Sequence, residues 1–230
     1  MKFTDALTSQ IGRKVLTGLT GLALCVFVLG HLLGNLQLFI GADVFNNYAL
    51  KLESLGPILW VVELALLGVF VVHGAIGTSI ALKKQKTKPV KYAIQQSAGG
   101  ASKQSASSKS MIVTGSIILI FTILHVITFK FGPGIKEGYI TTLHGEEARD
   151  MYRLVIEKFQ NPLYAFGYAG VMMLLGLHLR HGFWSAFQSL GANNKKYSSL
   201  IYTAALVFAL LMSIGFLVLP VWIFLTKGGI

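Results

Sequence analysis

Four histidines lie inside long apolar runs of this sequence, one in each of four successive runs: His31, His73, His125 and His178. A polar ring is costly in an apolar environment, so a side chain of this kind usually marks a site or a paired contact between helices. One such histidine is explained equally well by a hydrogen bond between helices. Four of them in successive runs favour a shared chemical role, and neutral imidazole is the commonest metal ligand among side chains.

The apolar runs are long enough to cross a lipid bilayer, for which about 20 residues suffice. The chain is 53% hydrophobic and 13% charged, whereas soluble domains carry about 25% charged residues. We predict an all-α, polytopic membrane protein, with one domain over 1–230 and five helices in an antiparallel bundle. The predicted spans are Val15–Phe39, Ile58–Leu82, Met111–Phe131, Leu163–Trp184 and Leu200–Leu225.

Charge distribution predicts the orientation. The net charge of +11 comes from Lys and Arg that flank the apolar runs, which is typical of membrane topology control rather than nucleic-acid binding. Of the 20 basic residues, 13 lie on the side of the N-terminus, which we therefore place in the cytoplasm. The first run follows polar Met1–Gln10 and is too long for a cleaved signal peptide. Cys25, the single cysteine, is interpreted as a small core residue.

Two segments outside the spans have their own patterns. Gln95–Ser110 is rich in small residues and is predicted to be a flexible cytoplasmic linker. His144–Phe159 alternates apolar and charged residues at helical spacing, which predicts an amphipathic helix on the outer surface, with His144 solvated.

The four membrane histidines sort by depth. His31 and His125 lie toward the outer end of their spans, and His73 and His178 toward the inner end. A rise of about 1.5 Å per residue puts the two pairs roughly 10–15 Å apart in depth. Haem iron takes two axial ligands on opposite sides, and histidine is a common one. We therefore predict two haem b groups, an outer one on His31 and His125 and an inner one on His73 and His178.

Other residues near the histidines have two interpretations each. Neighbouring glycines provide either close helix packing or room for a flat macrocycle: Gly30, Gly34, Gly74, Gly77, Gly176 and Gly182. His181 is either solvated at the interface or placed to bind a haem propionate. The basic residues at the inner ends of the spans either extend to lipid phosphates or neutralise propionates: Arg13, Lys14 and Arg180.

Along most of its length the chain resembles the five-helix, di-haem cytochrome b membrane anchor of succinate dehydrogenases and fumarate reductases. The stretches that carry the resemblance are Gly30–Asn35 (GHLLGN), Phe45–Tyr48 (FNNY), Glu53–Leu55 (ESL), Val72–Gly77 (VHGAIG), Leu124–Val126 (LHV), Leu177–Ser185 (LHLRHGFWS) and Phe187–Gly191 (FQSLG).

The resemblance implies a location in the bacterial cytoplasmic membrane, with a flavoprotein and an iron–sulfur subunit bound on the cytoplasmic face. FAD and iron–sulfur clusters would belong to those subunits, which carry out the dicarboxylate chemistry. Electrons would pass between them and a quinone, with menaquinone favoured, by way of the inner and outer haems. Glu53 either matches the carboxylate expected near the quinone or is an ordinary surface acid on a loop, and Glu63 is a second candidate. Gly176 replaces a glutamate that one branch of the family uses for proton transfer.

Three alternatives remain open from the sequence. The chain fits a cytochrome b subunit of another quinone-linked respiratory complex, although the motif around His178 favours the first assignment. A haem-free transporter would use the histidines as proton relays. A structural anchor would have no redox role.

Overall fold

The computed structural model describes residues 9–86, 110–192, 194 and 196–227. Most of the predicted linker Gln95–Ser110 lies outside these described residues, as do many of the basic residues that predict the topology.

Within the described residues the chain is mainly helical. The helices, in chain order, are α1 (Gln10–Asn35), α2 (Ala42–Glu53), α3 (Pro57–Lys86), α4 (Met111–His125), α5 (Met151–Gln160), α6 (Pro162–Ser189) and α7 (Ser198–Lys227). Short 3₁₀ turns occupy Leu36–Phe39 and Ile135–Glu137, and a π turn, Val126–Lys130, continues α4. Two strands, β1 (Ile140–Leu143) and β2 (Glu146–Arg149), pair antiparallel.

In the described part of the chain, five helical segments are long and apolar enough to cross a membrane: Gln10–Phe39, Pro57–Lys83, Met111–Lys130, Pro162–Ser189 and Ser198–Lys227. The five predicted spans are therefore confirmed as membrane-spanning candidates, within a few residues at each end. Their surfaces expose large apolar side chains, such as Val61 at 67% and Leu163 at 81%. Soluble proteins rarely expose such surfaces over whole helices, whereas lipid covers them.

The predicted helix over His144–Phe159 is wrong in its first half. His144 and Gly145 have positive φ angles of 54° and 85°, so they form the tight turn between β1 and β2 instead of a helical turn. Helix α5 begins at Met151, where the Asp150 carboxylate accepts a hydrogen bond from Arg153 N at 2.9 Å. The apolar face predicted for this helix is buried at Leu154, Val155 and Phe159.

Arg149, at the end of β2, contacts the segment that follows α4. Its guanidinium donates hydrogen bonds to four backbone carbonyls, two in the last turn of the helical structure and two just after it: Phe129 at 3.0 Å, Lys130 at 3.3 Å, Gly132 at 3.0 Å and Pro133 at 3.0 Å. Burial lowers the pKa of Arg149, and the carboxylates of Glu53 and Glu137 oppose that shift. A positive charge at a helix C-terminus is also favoured by the helix dipole.

The chain divides into two compact units, each assembled from three segments. The His73 unit comprises Met1–Phe27, Leu66–Ser116 and Leu175–Leu211, and the His31 unit comprises Val28–Ala65, Ile117–Leu174 and Met212–Ile230.

In the His73 unit, α1 packs closely on α6. A Cβ at Gly18 would lie 3.4 Å from the backbone oxygen of Ala186, so a small residue permits this approach. Arg13 donates a hydrogen bond to Ser79 of α3 at 3.0 Å. Trp184 of α6 packs against Tyr202 of α7, with ring centroids 4.9 Å apart.

In the His31 unit, α2 and α5 are joined through Asn46, which is 2% exposed. Its amide donates to Asp150 at 2.9 Å and its oxygen accepts from Tyr152 N at 2.8 Å. Tyr48 packs directly against α1 at Gly34, where there is no side chain. A Cβ there would lie 2.5 Å from the Tyr48 hydroxyl oxygen. This unit thus contains α2, the β-hairpin and α5 together with one end of each membrane helix.

Candidate functional site

In the His73 unit, the rings of His73 on α3 and His178 on α6 lie next to each other. Their centroids are 6.4 Å apart and their planes are inclined by 70°. The two residues come from apolar helices that the sequence separates by more than a hundred positions. Tertiary packing therefore brings together the two histidines that were predicted to form the inner pair.

Each ring of this pair also contacts a Thr-Gly dipeptide on another helix. The Thr20 hydroxyl of α1 lies 3.2 Å from His73 Nδ1, and the Thr114 hydroxyl of α4 lies 3.1 Å from His178 Nδ1. The following glycines leave space for the rings: a Cβ at Gly21 would lie 3.1 Å from His73 Cε1. A Cβ at Gly115 would lie 3.3 Å from His178 Cε1, which is also a tight contact.

In the His31 unit, His31 on α1 lies beside His125, the last residue of α4. Their ring centroids are 5.7 Å apart and their planes are nearly perpendicular, at 85°. Aromatic side chains surround the pair at centroid distances of 5.2 to 6.0 Å: Phe216 beside His31, and Phe121, Phe129 and Tyr168 beside His125. The surroundings are mostly apolar and would exclude water from a bound group.

Among the described residues of the His31 unit, two buried polar atoms have no hydrogen-bond partner, His125 Nδ1 and the Tyr168 hydroxyl. Buried polar atoms are nearly always paired with protein, water or a bound group. Their presence beside the ring pair indicates that the surroundings of His125 are completed by something other than the described side chains.

The spacing of the ring centroids matches that of two imidazoles bound to one metal ion, as in a bis-histidine haem. A metal–nitrogen bond to histidine is about 2 Å long, so two opposed imidazoles on one iron have centroids about 6 Å apart. The observed distances of 6.4 Å and 5.7 Å bracket this value. Two neutral nitrogen donors are also the axial ligand set that many cytochromes provide for haem iron.

The glycines near the histidines differ in their surroundings. At Gly30, Gly74, Gly77 and Gly182 a Cβ would meet no atom within 4 Å, so space is open beside these helix faces. Gly34 instead contacts Tyr48, as described above. The open positions agree with the interpretation that these glycines leave room for a flat macrocycle. Gly34 instead serves close packing.

The two carboxylates considered for proton transfer both belong to the His31 unit. Glu53 is exposed at the end of α2, and Glu63 lies in the first turns of α3. Glu63 forms an ion pair with Lys130, whose ammonium lies 5.0 Å from the ring centre of Trp60. Glu53 is therefore the more accessible of the two.

The residues considered for binding propionates have separate contacts. Arg13 donates a hydrogen bond to Ser79. Arg180, which directly precedes His181 in the sequence, is half-buried. The His181 ring lies 5.9 Å from that of Trp184, whose buried indole Nε1 has no hydrogen-bond partner in the described part of the chain. The indole N–H could donate a hydrogen bond to a carboxylate. His144 is exposed and its Nε2 lies 2.9 Å from the Asn47 side-chain oxygen.

Sequence reasoning did not identify Thr20, Thr114 or Tyr168 as part of the site. Threonine in a membrane helix commonly bonds back to its own helix, so its presence alone carries no signal. The sequence did contain one clue, because Thr-Gly occurs on α1 and on α4 at the depth predicted for the inner pair.

Among the described residues, no group of three or more His, Cys, Asp or Glu side chains could hold a metal ion, and each ring pair offers two nitrogen ligands. Comparison of the chain with protein-family models, characterised proteins and solved structures found no match.

Proposed function

We propose that this chain is the di-haem cytochrome b membrane anchor of a succinate dehydrogenase or fumarate reductase. It would carry electrons between an iron–sulfur subunit and a membrane quinone, with menaquinone favoured. The five apolar helices would form an antiparallel bundle in the bacterial cytoplasmic membrane, with the N-terminus in the cytoplasm. A flavoprotein with FAD and the iron–sulfur subunit would bind on the cytoplasmic face.

The observation that carries the proposal is the pairing of the four membrane histidines. His31 lies beside His125, and His73 beside His178, each pair from two helices and each within one compact unit. Histidines kept only for packing would have no reason to form two pairs with the spacing of axial ligands.

The residues of each centre have distinct roles in this proposal. Bound haem supplies a one-electron iron couple. His73 and His178 would hold one iron and His31 and His125 the other, each through a ring nitrogen. Phe216 beside His31 and the aromatic rings beside His125 would exclude water, and an apolar shell of this kind influences the potential of the metal.

The test is to purify the full complex from its membrane in mild detergent and to measure haem per chain as the pyridine haemochrome. We expect two haem b per chain, an α-band in the reduced-minus-oxidised spectrum, and a co-purifying flavoprotein with covalently bound flavin. A colourless chain would contradict the redox proposal and favour a transporter. Two haems with a partner lacking flavin would favour another respiratory complex.

Glu53 provides a prediction at the quinone site. Its carboxylate is exposed and would accept the proton that leaves when a quinol is oxidised. We expect Glu53→Gln to slow quinol oxidation at least about tenfold, since a positioned base contributes to proton transfer, while haem content stays at two. Glu146→Gln is the matched control, because Glu146 is an exposed carboxylate of the same unit. Equal rates in the two variants would remove Glu53 from the proton path.

A further inference from the structure

The two rings of the His73 unit are held in the same way, although different helices contribute the contacts. A threonine hydroxyl lies at the Nδ1 atom of each ring, from Thr20 at 3.2 Å and from Thr114 at 3.1 Å. A glycine directly after each threonine, Gly21 or Gly115, meets the Cε1 atom of the same ring. One edge of each imidazole, comprising Nδ1 and Cε1, therefore faces a Thr-Gly pair.

The direction of these hydrogen bonds follows from the single proton of a hydroxyl group. The Thr20 hydroxyl donates to carbonyl oxygens of its own helix, Leu16 at 2.7 Å and Thr17 at 3.2 Å. The Thr114 hydroxyl does the same toward Ser110 at 3.0 Å and Met111 at 3.3 Å. Toward the rings, both oxygens are left as acceptors. With the hydroxyl protons directed to these carbonyls, we assign the Nδ1 atoms of His73 and His178 as the protonated, donating nitrogens.

A neutral imidazole that is protonated on Nδ1 has its free electron pair on Nε2. The hydrogen bond on one nitrogen thus determines which nitrogen is able to bind a metal. In this unit Nε2 is, in each ring, the nitrogen that does not face the threonine hydroxyl, and both Nε2 atoms are competent as ligands.

We propose that Thr20 and Thr114 are positioning residues for the iron ligands His73 and His178. Each hydroxyl accepts the Nδ1 proton and thereby selects Nε2 as the metal-binding atom, while the adjacent glycine allows the ring to lie close to the helix. This inference rests on the proposed function, because it assigns roles around an iron that this chain would bind.

The His31 unit lacks this arrangement at one of its ligands. Among the described residues, His125 Nδ1 has no hydrogen-bond partner, and its ring is surrounded by Phe121, Phe129 and Tyr168. A hydrogen bond from the second nitrogen increases the basicity of a histidine ligand. A more basic ligand favours ferric over ferrous iron, so losing the hydrogen bond should raise the midpoint potential of the affected haem only.

The test uses Thr20→Val and Thr114→Val in the full complex, because valine keeps the branched shape and removes the acceptor. We expect two haems in each variant. One haem should change its ferrous-to-ferric ratio about tenfold at fixed potential, equivalent to a rise of about 59 mV for one electron. The other haem should keep its wild-type potential. Low-temperature electron paramagnetic resonance of the same samples should show a changed ligand field at one haem.

Two matched variants make the result specific. Thr→Ser at each position retains a hydroxyl and should restore the wild-type potential. Thr122→Val removes a hydroxyl of α4 that bonds to Ile118 O at 2.8 Å, and it should shift neither haem. If valine variants lose one haem, retention in the serine variants supports the proposal and loss in both contradicts it.

The outcomes separate this inference from the proposed function. Two haems in the wild type with unchanged potentials and spectra in both valine variants would overturn the role of Thr20 and Thr114 alone. Serine variants that shift as far as the valine variants would also overturn it, since a hydroxyl would then be irrelevant. A wild-type chain without haem would overturn both proposals together.

Discussion

Replacing any one of the four membrane histidines with alanine is expected to reduce the haem content from two per chain to one. The reason is that each iron would depend on two imidazoles from different helices, so removing one would leave the haem only weakly held by the other. His31→Ala and His125→Ala should yield the same remaining spectrum and potential. His73→Ala and His178→Ala should yield the other one. Pyridine haemochrome assays and redox titration measure these quantities.

Double variants make the pairing decisive. The variant His31→Ala/His125→Ala removes both ligands of one ring pair and should retain one haem. The variant His31→Ala/His73→Ala removes one ligand from each pair and should retain none. If the first double variant lost both haems while the second kept one, the ring pairs seen in the two units would not be the ligand pairs.

His144→Ala is the matched control for loss of an imidazole. His144 is exposed in the turn between β1 and β2 and is not part of the apolar helices that carry the ring pairs. This variant should retain two haems and the wild-type spectrum. A reduced haem content here would show that histidine substitution lowers occupancy through general instability, and the single-variant results would then lose their specificity.

The membrane helices and the composition of the ring pairs could be predicted from the sequence because both follow from one-dimensional patterns. An apolar run long enough to cross the bilayer has few alternatives to a helix, since its backbone must be hydrogen-bonded internally. Depth along a helix is a count of residues, so His31 could be matched with His125 before any helix was placed. The same count associated His73 with His178.

Contacts that depend on side-chain direction were not predictable in this way. Thr20 and Thr114 reach the imidazoles because α1 and α4 present those faces to the rings, and an almost uniformly apolar helix gives no periodic signal for which face is inside. The hairpin was also missed. The residues before Met151 have the spacing of apolar and charged residues that is typical of an amphipathic helix. They form a hairpin instead, because His144 and Gly145 make a tight turn and the Asp150 cap begins the helix at Met151.

Gly132→Ala is expected to destabilise the protein strongly, because the chain turns tightly where the helical structure after His125 ends. A Cβ at this position would overlap with the backbone oxygen of Thr128, a contact that real Cβ atoms do not make. The clashing atom belongs to the backbone, so a side-chain rotation cannot relieve the clash. Gly132 O is also one of the four carbonyls that bind Arg149, so a shift here would weaken the contact with β2.

The cost of forced repacking is typically 1–3 kcal/mol and sometimes more, so we expect a loss of at least about 2 kcal/mol. For a chain of this size that corresponds to a fall of roughly 4–8 °C in the thermal midpoint, measured in detergent by loss of the Soret band and by size-exclusion chromatography. Gly134→Ala is the matched control. It lies two residues further in the same turn, has an ordinary extended backbone, and a Cβ there would meet its nearest neighbours at 3.7 Å. Equal thermal midpoints for the two alanine variants would mean that the chain after α4 relaxes freely, and the tight turn would then not be what holds this end of the helix.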